Sequence, residues 1–268
     1  NRINGSINGV LFQLPSVDTI YRDLHEIQDV EKTRHTIGGE EKKMTLEKEL
    51  QVKNLWYRYP EVEEYVLENV ELKIPKGSAV AFVGESGSGK TTLADIILGV
   101  LKPEKGSILS DGQNVYEDMR SWQEKLGYIP QNIFLLDDTI RNNITFGLPE
   151  EQIDEEALWR AIEQAQLKEY IEGLDDGIYT VVGERGVRMS GGQRQRLGIA
   201  RALYHDPELL VMDEATSALD KETEEAVMES IEALYGTKTL IIIAHRLSTI
   251  EKCDIVYEVG KKTAKRKR

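Results

Sequence analysis

Residues 84–92 read GESGSGKTT, and the apolar run Ala79–Val83 leads straight into them. Gly84, Gly89, Lys90 and Thr91 satisfy the pattern G-x4-G-K-[ST], with a strand expected before it and a helix after it. Glycines in such a turn let backbone N–H groups converge on phosphate oxygens without a Cβ in the way. A helix that begins at Lys90 aims the positive end of its dipole at the same charge. Lys90 should reach the β- and γ-phosphates of a nucleotide, and the Thr91 hydroxyl should ligate Mg²⁺. Gly84, Glu85, Ser86, Gly87, Ser88, Gly89, Lys90, Thr91 and Thr92 are therefore the candidate triphosphate cradle. The competing reading is a glycine-rich turn with no ligand; the flanking strand and helix favour the cradle.

A phosphate loop needs a second, acidic holder of Mg²⁺ at the end of a neighbouring strand. The apolar run at 209–212 ends in Asp213 and Glu214. Asp213 would hold the metal directly or through water. Glu214 lies one residue further, where the strand leaves the sheet, and its carboxylate can accept a hydrogen bond from an attacking water. Alone, two acids at a strand end could simply be solvated; beside a phosphate loop the functional reading is preferred.

Around this nucleus the pattern alternates. Strand-like runs occur at 50–57, 79–83, 127–129, 209–212, 240–244 and 255–259, and helical periodicity at 91–101, 155–166, 191–204 and 223–234. Strands alternating with helices predict a mainly parallel sheet covered on both faces. The block 137–204 lacks a convincing core strand and reads as a helical insertion. Residues 1–45 differ: Ile3, Ile7, Val10, Leu14, Val17, Tyr21 and Leu24 form a heptad stripe. Pro15 should kink that helix, and 31–45, with Gly38 and Gly39, reads as a linker. The helix packs either on this domain or on something else. Because Asn1 replaces an initiator methionine, the chain is expected to be a piece of a longer one.

Composition removes several classes. Mean hydropathy is −0.42 and hydrophobic residues make up 40%, which is ordinary for a soluble globular protein. No apolar run approaches the roughly 18 residues that span a bilayer, and no signal-peptide pattern is present. A single cysteine, Cys253, excludes a disulfide framework or a cysteine-based zinc site. The net charge of −13 argues against nucleic acid as partner. The basic end 261–268, KKTAKRKR, is expected to be a solvated tail, with a nucleic-acid or membrane-surface patch as the alternative.

Further along, Met189, Ser190, Gly191, Gly192 and Gln193 open an arginine-rich helical stretch. Ser190 and the N–H groups of the two glycines form a second anion site at a helix start. A capped helix start is also expected there, but it does not explain two successive glycines. With the phosphate loop and the acidic strand end, these residues resemble the ABC ATPase family, whose signature LSGGQ has leucine where Met189 stands. The resemblance covers about residues 46–260, with every motif in the family order.

That resemblance implies a P-loop NTPase (RecA-like) core with a mainly parallel sheet, an antiparallel β subdomain and an inserted α-helical subdomain at about 137–204. It implies ATP and Mg²⁺ as ligands, with Thr91, Gln131 and Asp213 on the metal. Gln131, in YIPQN, matches the glutamine that reaches the metal and the water, and joins the core to the insertion. His245 matches the switch histidine at the γ-phosphate. Glu214, His245, Lys90 and Gln131 would carry catalysis. Tyr59, in YRYP, lies 31 residues before Lys90, as the family's adenine platform does; Tyr57 and Trp56 are alternatives. The run 217–220 matches the family's D-loop, in which Asp220 would organise the opposite site. The implied assembly is a head-to-tail homodimer. In it, each ATP lies between the phosphate loop of one copy and Ser190, Gly191, Gly192 and Gln193 of the other. His25, His35 and His205 receive no role.

The run 182–186, VGERG, resembles the X-loop of ABC exporters, where Glu184 would face the coupling helices of a membrane domain. Residues 1–45 then resemble the cytosolic extension of the last transmembrane helix plus a linker, joined to the ATPase domain at 46–260 and the basic tail at 261–268. The wording of the first helix is similar to that in PglK-type flippases of lipid-linked oligosaccharides or polysaccharides. The expected role is ATP-driven export or flipping of such a molecule, at the cytoplasmic face of the inner membrane, in partnership with a transmembrane domain of the same polypeptide. The alternatives are an exporter of peptides or drugs, an importer ATPase, and a soluble DNA-repair ATPase. The last would need a long coiled coil between Gln131 and Ser190, where only 59 residues are available.

Overall fold

Burial along the central strands alternates between two cores, and this fixes the architecture. Ala79 and Ala81 of β3 (Ala79–Val83), Leu210 and Met212 of β7 (Leu209–Asp213), and Leu240 and Ile242 of β8 (Thr239–Ile243) face one core. Their neighbours Val80, Phe82, Leu209, Val211, Ile241 and Ile243 face the other. A strand buried on both faces must read as continuously apolar, and these do.

The computed structural model describes residue 21 and residues 43–213, 221–244 and 246–268. The chain divides into two units, Asn1–Lys43 and Met44–Arg268. In the first, Tyr21 is helical and exposed; the rest of the expected heptad helix lies outside the described residues.

The main sheet of the second unit has the order β10-β9-β3-β8-β7-β6, with β6 at Leu126–Ile129, β9 at Ile255–Gly260 and β10 at Thr263–Arg266. All its pairings are parallel except β9 with β10. A second, antiparallel sheet has the order β2-β1-β4-β5, from β1 (Glu49–Tyr57), β2 (Leu67–Pro75), β4 (Lys105–Ser110) and β5 (Gln113–Asn114). It shares one core with helix α1 (Lys90–Ile97), whose Leu93, Ala94, Ile96 and Ile97 are buried there, and with Trp122 of α2 (Met119–Gln123). The Trp122 indole N–H donates to the Ile97 carbonyl at 2.8 Å.

The other core lies under α3 (Ile140–Ile144), α4 (Glu155–Gln164), α5 (Lys168–Glu172), α6 (Gly191–Leu203) and α7 (Lys221–Glu232). A last short helix, α8, spans Leu247–Glu251. In the insertion, Arg141 is buried on α3 and donates to Glu150 and Glu155 at 2.7 and 2.6 Å, holding α3 against the start of α4.

The strands β2 and β4 lie where periodicity alone marked none. In β2, Leu67, Val70, Leu72 and Ile74 point inward between polar neighbours, and a register shift against β1 interrupts the alternation. The basic end corrects its expectation more plainly. It is an edge strand, not a solvated tail. Lys261 and Lys262 form the turn at positive φ, Ala264 is buried, and Lys262 pairs with Glu64 and Glu68. Lys267 pairs with Glu258 at 2.7 Å. Acids on adjacent strands absorb the charge, and lysines on an exposed edge discourage further strand pairing.

Candidate active site

The loop between β3 and α1 leaves no room for a side chain at its first glycine. Gly84 has φ +149°, and a Cβ there would sit 2.1 Å from the Val259 carbonyl oxygen and 2.9 Å from Ser88 Oγ. Gly89, at φ 99°, caps α1 with no side-chain hydrogen bond, and the first turn of α1 carries no acid. The N–H groups and dipole at that end therefore meet neither a side-chain cap nor an acid of the helix's own first turn. Lys90 is buried, and its Nζ donates to the carbonyls of Gly84 (3.0 Å) and Glu85 (2.7 Å). Its charge is thus folded over the cradle it is expected to serve.

One residue on, the Thr91 hydroxyl donates to Asp213 Oδ2 at 3.2 Å, across 122 residues of sequence. Parallel pairing of β7 with both β6 and β8 brings this about. Ile129 pairs with Met212, and Asp213 pairs with Ile243. Gln131 therefore leaves the sheet two residues past a strand that flanks Asp213, and it is exposed. Glu214, Asp220 and His245 lie outside the described residues.

Two groups near Asp213 had no sequence motif to mark them. Asp95 follows Thr91 by one helical turn, on the same face of α1. Burial, then the charge of Asp213, pushes its carboxyl above the usual range. The Tyr128 hydroxyl is pushed up to about 12 by burial and then by Asp213 and Asp95. Negative potential thus accumulates opposite the positive end of α1, as a site for a cation between carboxylate and phosphates requires. Only the four-residue spacing of Asp95 from Thr91 was available as a signal.

The structure separates the three aromatic candidates. Tyr57 is buried at the end of β1, and Trp56 packs edge-on against Tyr65 at 5.2 Å. Tyr59 is exposed, stands edge-on to Tyr57, and its hydroxyl lies 3.0 Å from that of Thr92. A flat, accessible ring is therefore tied to the phosphate helix.

The second helix start is self-contained. Ser190 Oγ accepts from the Gln193 N–H (3.2 Å), and Gln193 Oε1 accepts from the Ser190 N–H (2.8 Å), forming a complete capping box. Met189 is buried beneath it, while Ser190 is exposed and Gly191 partly so. α6 packs on α3, α4, α7 and β6, whereas α1 packs on β8. Glu184, itself exposed, opens a 3-10 turn, Glu184–Gly186, shortly before this start.

Comparison with known proteins shows the family. The family model described as ABC transporter matches residues 67–217. The ATP-dependent lipid A-core flippase of Escherichia coli (strain K12) is 43% identical over 215 residues, which are 79% of this chain and 37% of that protein. Its counterpart in Pectobacterium atrosepticum is 42% identical over 241 residues, 89% of this chain and 41% of that protein. A solved bacterial Atm1-family ABC exporter with ATP bound superposes with a TM-score of 0.74 at 32% identity, covering 92% of this chain and 44% of that one. The chain spans about two-fifths of the length of the curated relatives it matches. With the phosphate loop, the acidic strand end and the capped signature helix in order on one α/β core, the chain belongs to the ABC transporter family and carries its ATPase domain.

Proposed function

We propose that two copies of this domain close head-to-tail on ATP, hydrolyse it, and thereby drive a membrane exporter that flips a lipid-linked oligosaccharide or related glycolipid. The observation that carries this reading is the contrast between an uncapped phosphate helix and a signature helix that is already capped by an exposed Ser190, on separate parts of one domain, although Gly192 is buried. Each is half of a triphosphate site, and each needs the other's counterpart to surround a γ-phosphate.

Thr91 and Asp213 fit a Mg²⁺ ion. Both offer hard oxygens, 3.2 Å apart, and no group of three or more His, Cys, Asp or Glu among the described residues could hold a metal by itself. An ion shared between one or two protein oxygens, waters and phosphates has this kind of site. Bound there, it neutralises charge developing on the phosphate oxygens. Lys90 and the N–H groups of the loop bind and orient the triphosphate, and Tyr59 stacks on the base. Gln131 and His245 hold the attacking water and the γ-phosphate, Glu214 accepts the water's proton, and Asp220 organises the partner's half of the site. Loss of the γ-phosphate removes the cross-copy contacts, and the pair opens.

Exposed apolar side chains in and just before the insertion support attachment to a membrane domain. Phe134, Leu136, Phe146 and Val181 are all at least one-third exposed and cluster about α3. Such a patch on a soluble face marks an interaction surface. The location at the cytoplasmic face of the membrane follows from that attachment. Among the described residues no helix is long and apolar enough to cross a membrane. The relatives named as lipid A-core flippases support a glycolipid cargo.

The assembly is tested in a Glu214→Gln background, in which turnover stops while ATP still binds. Light scattering should find an ATP-dependent dimer, and adding Ser190→Arg should return it to monomer with nucleotide affinity unchanged. A dimer that survives Ser190→Arg, or a monomer that encloses ATP alone, would end the proposal.

A further inference from the structure

The loop that carries Tyr59 is held at both limbs by one carboxylate. Residues 58–66 join β1 to β2, with Tyr59 near their start. At the base of the loop the Val66 N–H donates to the Tyr57 carbonyl (2.9 Å). At its tip the Val62 N–H donates to the Tyr59 carbonyl (3.2 Å), across a turn in which Pro60 is followed by Glu61 at φ 64°. Proline fixes φ at the second place of such a turn, and a left-handed third residue closes it. These backbone bonds shape the tip and the base and leave the limbs between them to side chains.

Glu104 joins those limbs. Its N–H donates to the Trp56 carbonyl (2.9 Å), which fixes it beside the end of β1. Its Oε2 accepts from Arg58 Nε (2.9 Å), immediately before Tyr59, and its Oε1 accepts from the Tyr65 hydroxyl (3.0 Å), immediately before Val66. The Arg58 guanidinium also lies over the Tyr65 ring, 5.3 Å from its centroid. Tyr65 in turn packs edge-on against Trp56, over which Lys105 lies at 5.5 Å. Arg58 and Glu104 are both exposed, and an exposed ion pair adds little to global stability. A carboxylate whose two oxygens hold the two limbs of a short loop acts instead on what lies between them. Tyr59 and Glu104 also line one open cleft, of about 690 Å³.

We propose that Glu104 is a positioning residue for the adenine platform: by holding Arg58 and Tyr65 together it keeps the Tyr59 ring in the pose that stacks on a base. This rests on the reading of Tyr59 given above and adds what keeps the ring in place. The Tyr59 hydroxyl is already tied to Thr92 (3.0 Å). A ring restrained at its backbone by the Glu104 brace and at its hydroxyl by Thr92 meets the base without first having to be ordered, and binding is stronger by the cost avoided.

The test measures ATP affinity by calorimetry and hydrolysis by steady-state kinetics for Glu104→Ala, Arg58→Gln, Tyr59→Ala and the double variant Tyr59→Ala/Glu104→Ala of the full chain. Glu104→Ala and Arg58→Gln should each weaken ATP binding roughly three- to tenfold, the cost of ordering one further side chain on binding. KM should rise by the same factor while kcat stays within about twofold, as when ground state and transition state lose the same contact. Tm should move by no more than about 2 °C, as for an exposed pair in a chain of this size. In the Tyr59→Ala background the effect of Glu104→Ala should vanish, because the brace acts only through the ring. The brace is refuted if Glu104→Ala leaves ATP affinity unchanged, or weakens it equally with and without the Tyr59 ring. It is refuted equally if Glu104→Ala weakens binding and Arg58→Gln does not, which would make Glu104 a direct contact of the nucleotide. Failure of the platform reading itself looks different: Tyr59→Ala then leaves ATP affinity unchanged, and the brace falls with it.

Discussion

The two helix starts that frame the chemistry solve the same problem in opposite ways. α1 begins at a glycine in the left-handed region with no side-chain cap, and α6 begins at Ser190 with both halves of a capping box made. Neither has an acid in its first turn, so both ends keep their positive potential. The first end must find an anion to satisfy its N–H groups. The second is stable without one and keeps its outward face available. Under the proposed head-to-tail assembly, such a domain would bind nucleotide through α1 on its own and use α6 only when another copy brings a phosphate to it.

Substitutions can break or sharpen that contrast. The largest effect is expected at Lys90. Lys90→Ala removes the cation folded over the loop, and hydrolysis should fall by at least about 10²-fold, with nucleotide affinity lost in parallel. Normal ATP binding, measured by calorimetry, would show that α1 is not the primary anion site. Next comes Tyr59. Tyr59→Ala should weaken ATP binding by about 1–3 kcal/mol through lost stacking. Tyr59→Phe, which loses only the bond to Thr92, should cost at most about 1 kcal/mol. Equal losses in both variants would mean that the hydroxyl, not the ring, matters. The smallest effect is expected at Ser190. Ser190→Ala should cost about 1 kcal/mol of stability through the lost cap, seen as a fall of a few degrees in Tm. Nucleotide affinity of the isolated copy should not change; if it does, the two starts are not independent.

Regions of the chain differed in how far the sequence announced them. The loop from Gly84 to Thr92 was legible because its residue types are dictated by backbone chemistry. The Gly84 position leaves no room for a Cβ, and a strand before it with a helix after it is the only arrangement that aims the loop. The parallel core was legible for a related reason, since β3, β7 and β8 are buried on both faces and carry no polar interruption. Strands β2 and β4 were not, because their alternation is broken by register shifts and polar faces. The basic end misled because its charges read as solvation until the acids of β2 and β9 were placed beside them.

By itself, then, the sequence determined the phosphate cradle, the acidic strand end and the capped signature start, because each is a local motif whose chemistry is complete within a few residues. The tertiary structure decided what depends on distant partners. It exposed the Tyr59 ring and buried that of Tyr57. It set Thr91 against Asp213 through strand register and gave Asp95 and Tyr128 their shared field. Those outcomes depend on which segments pack together, and close packing admits only the side chains that fit the space it leaves.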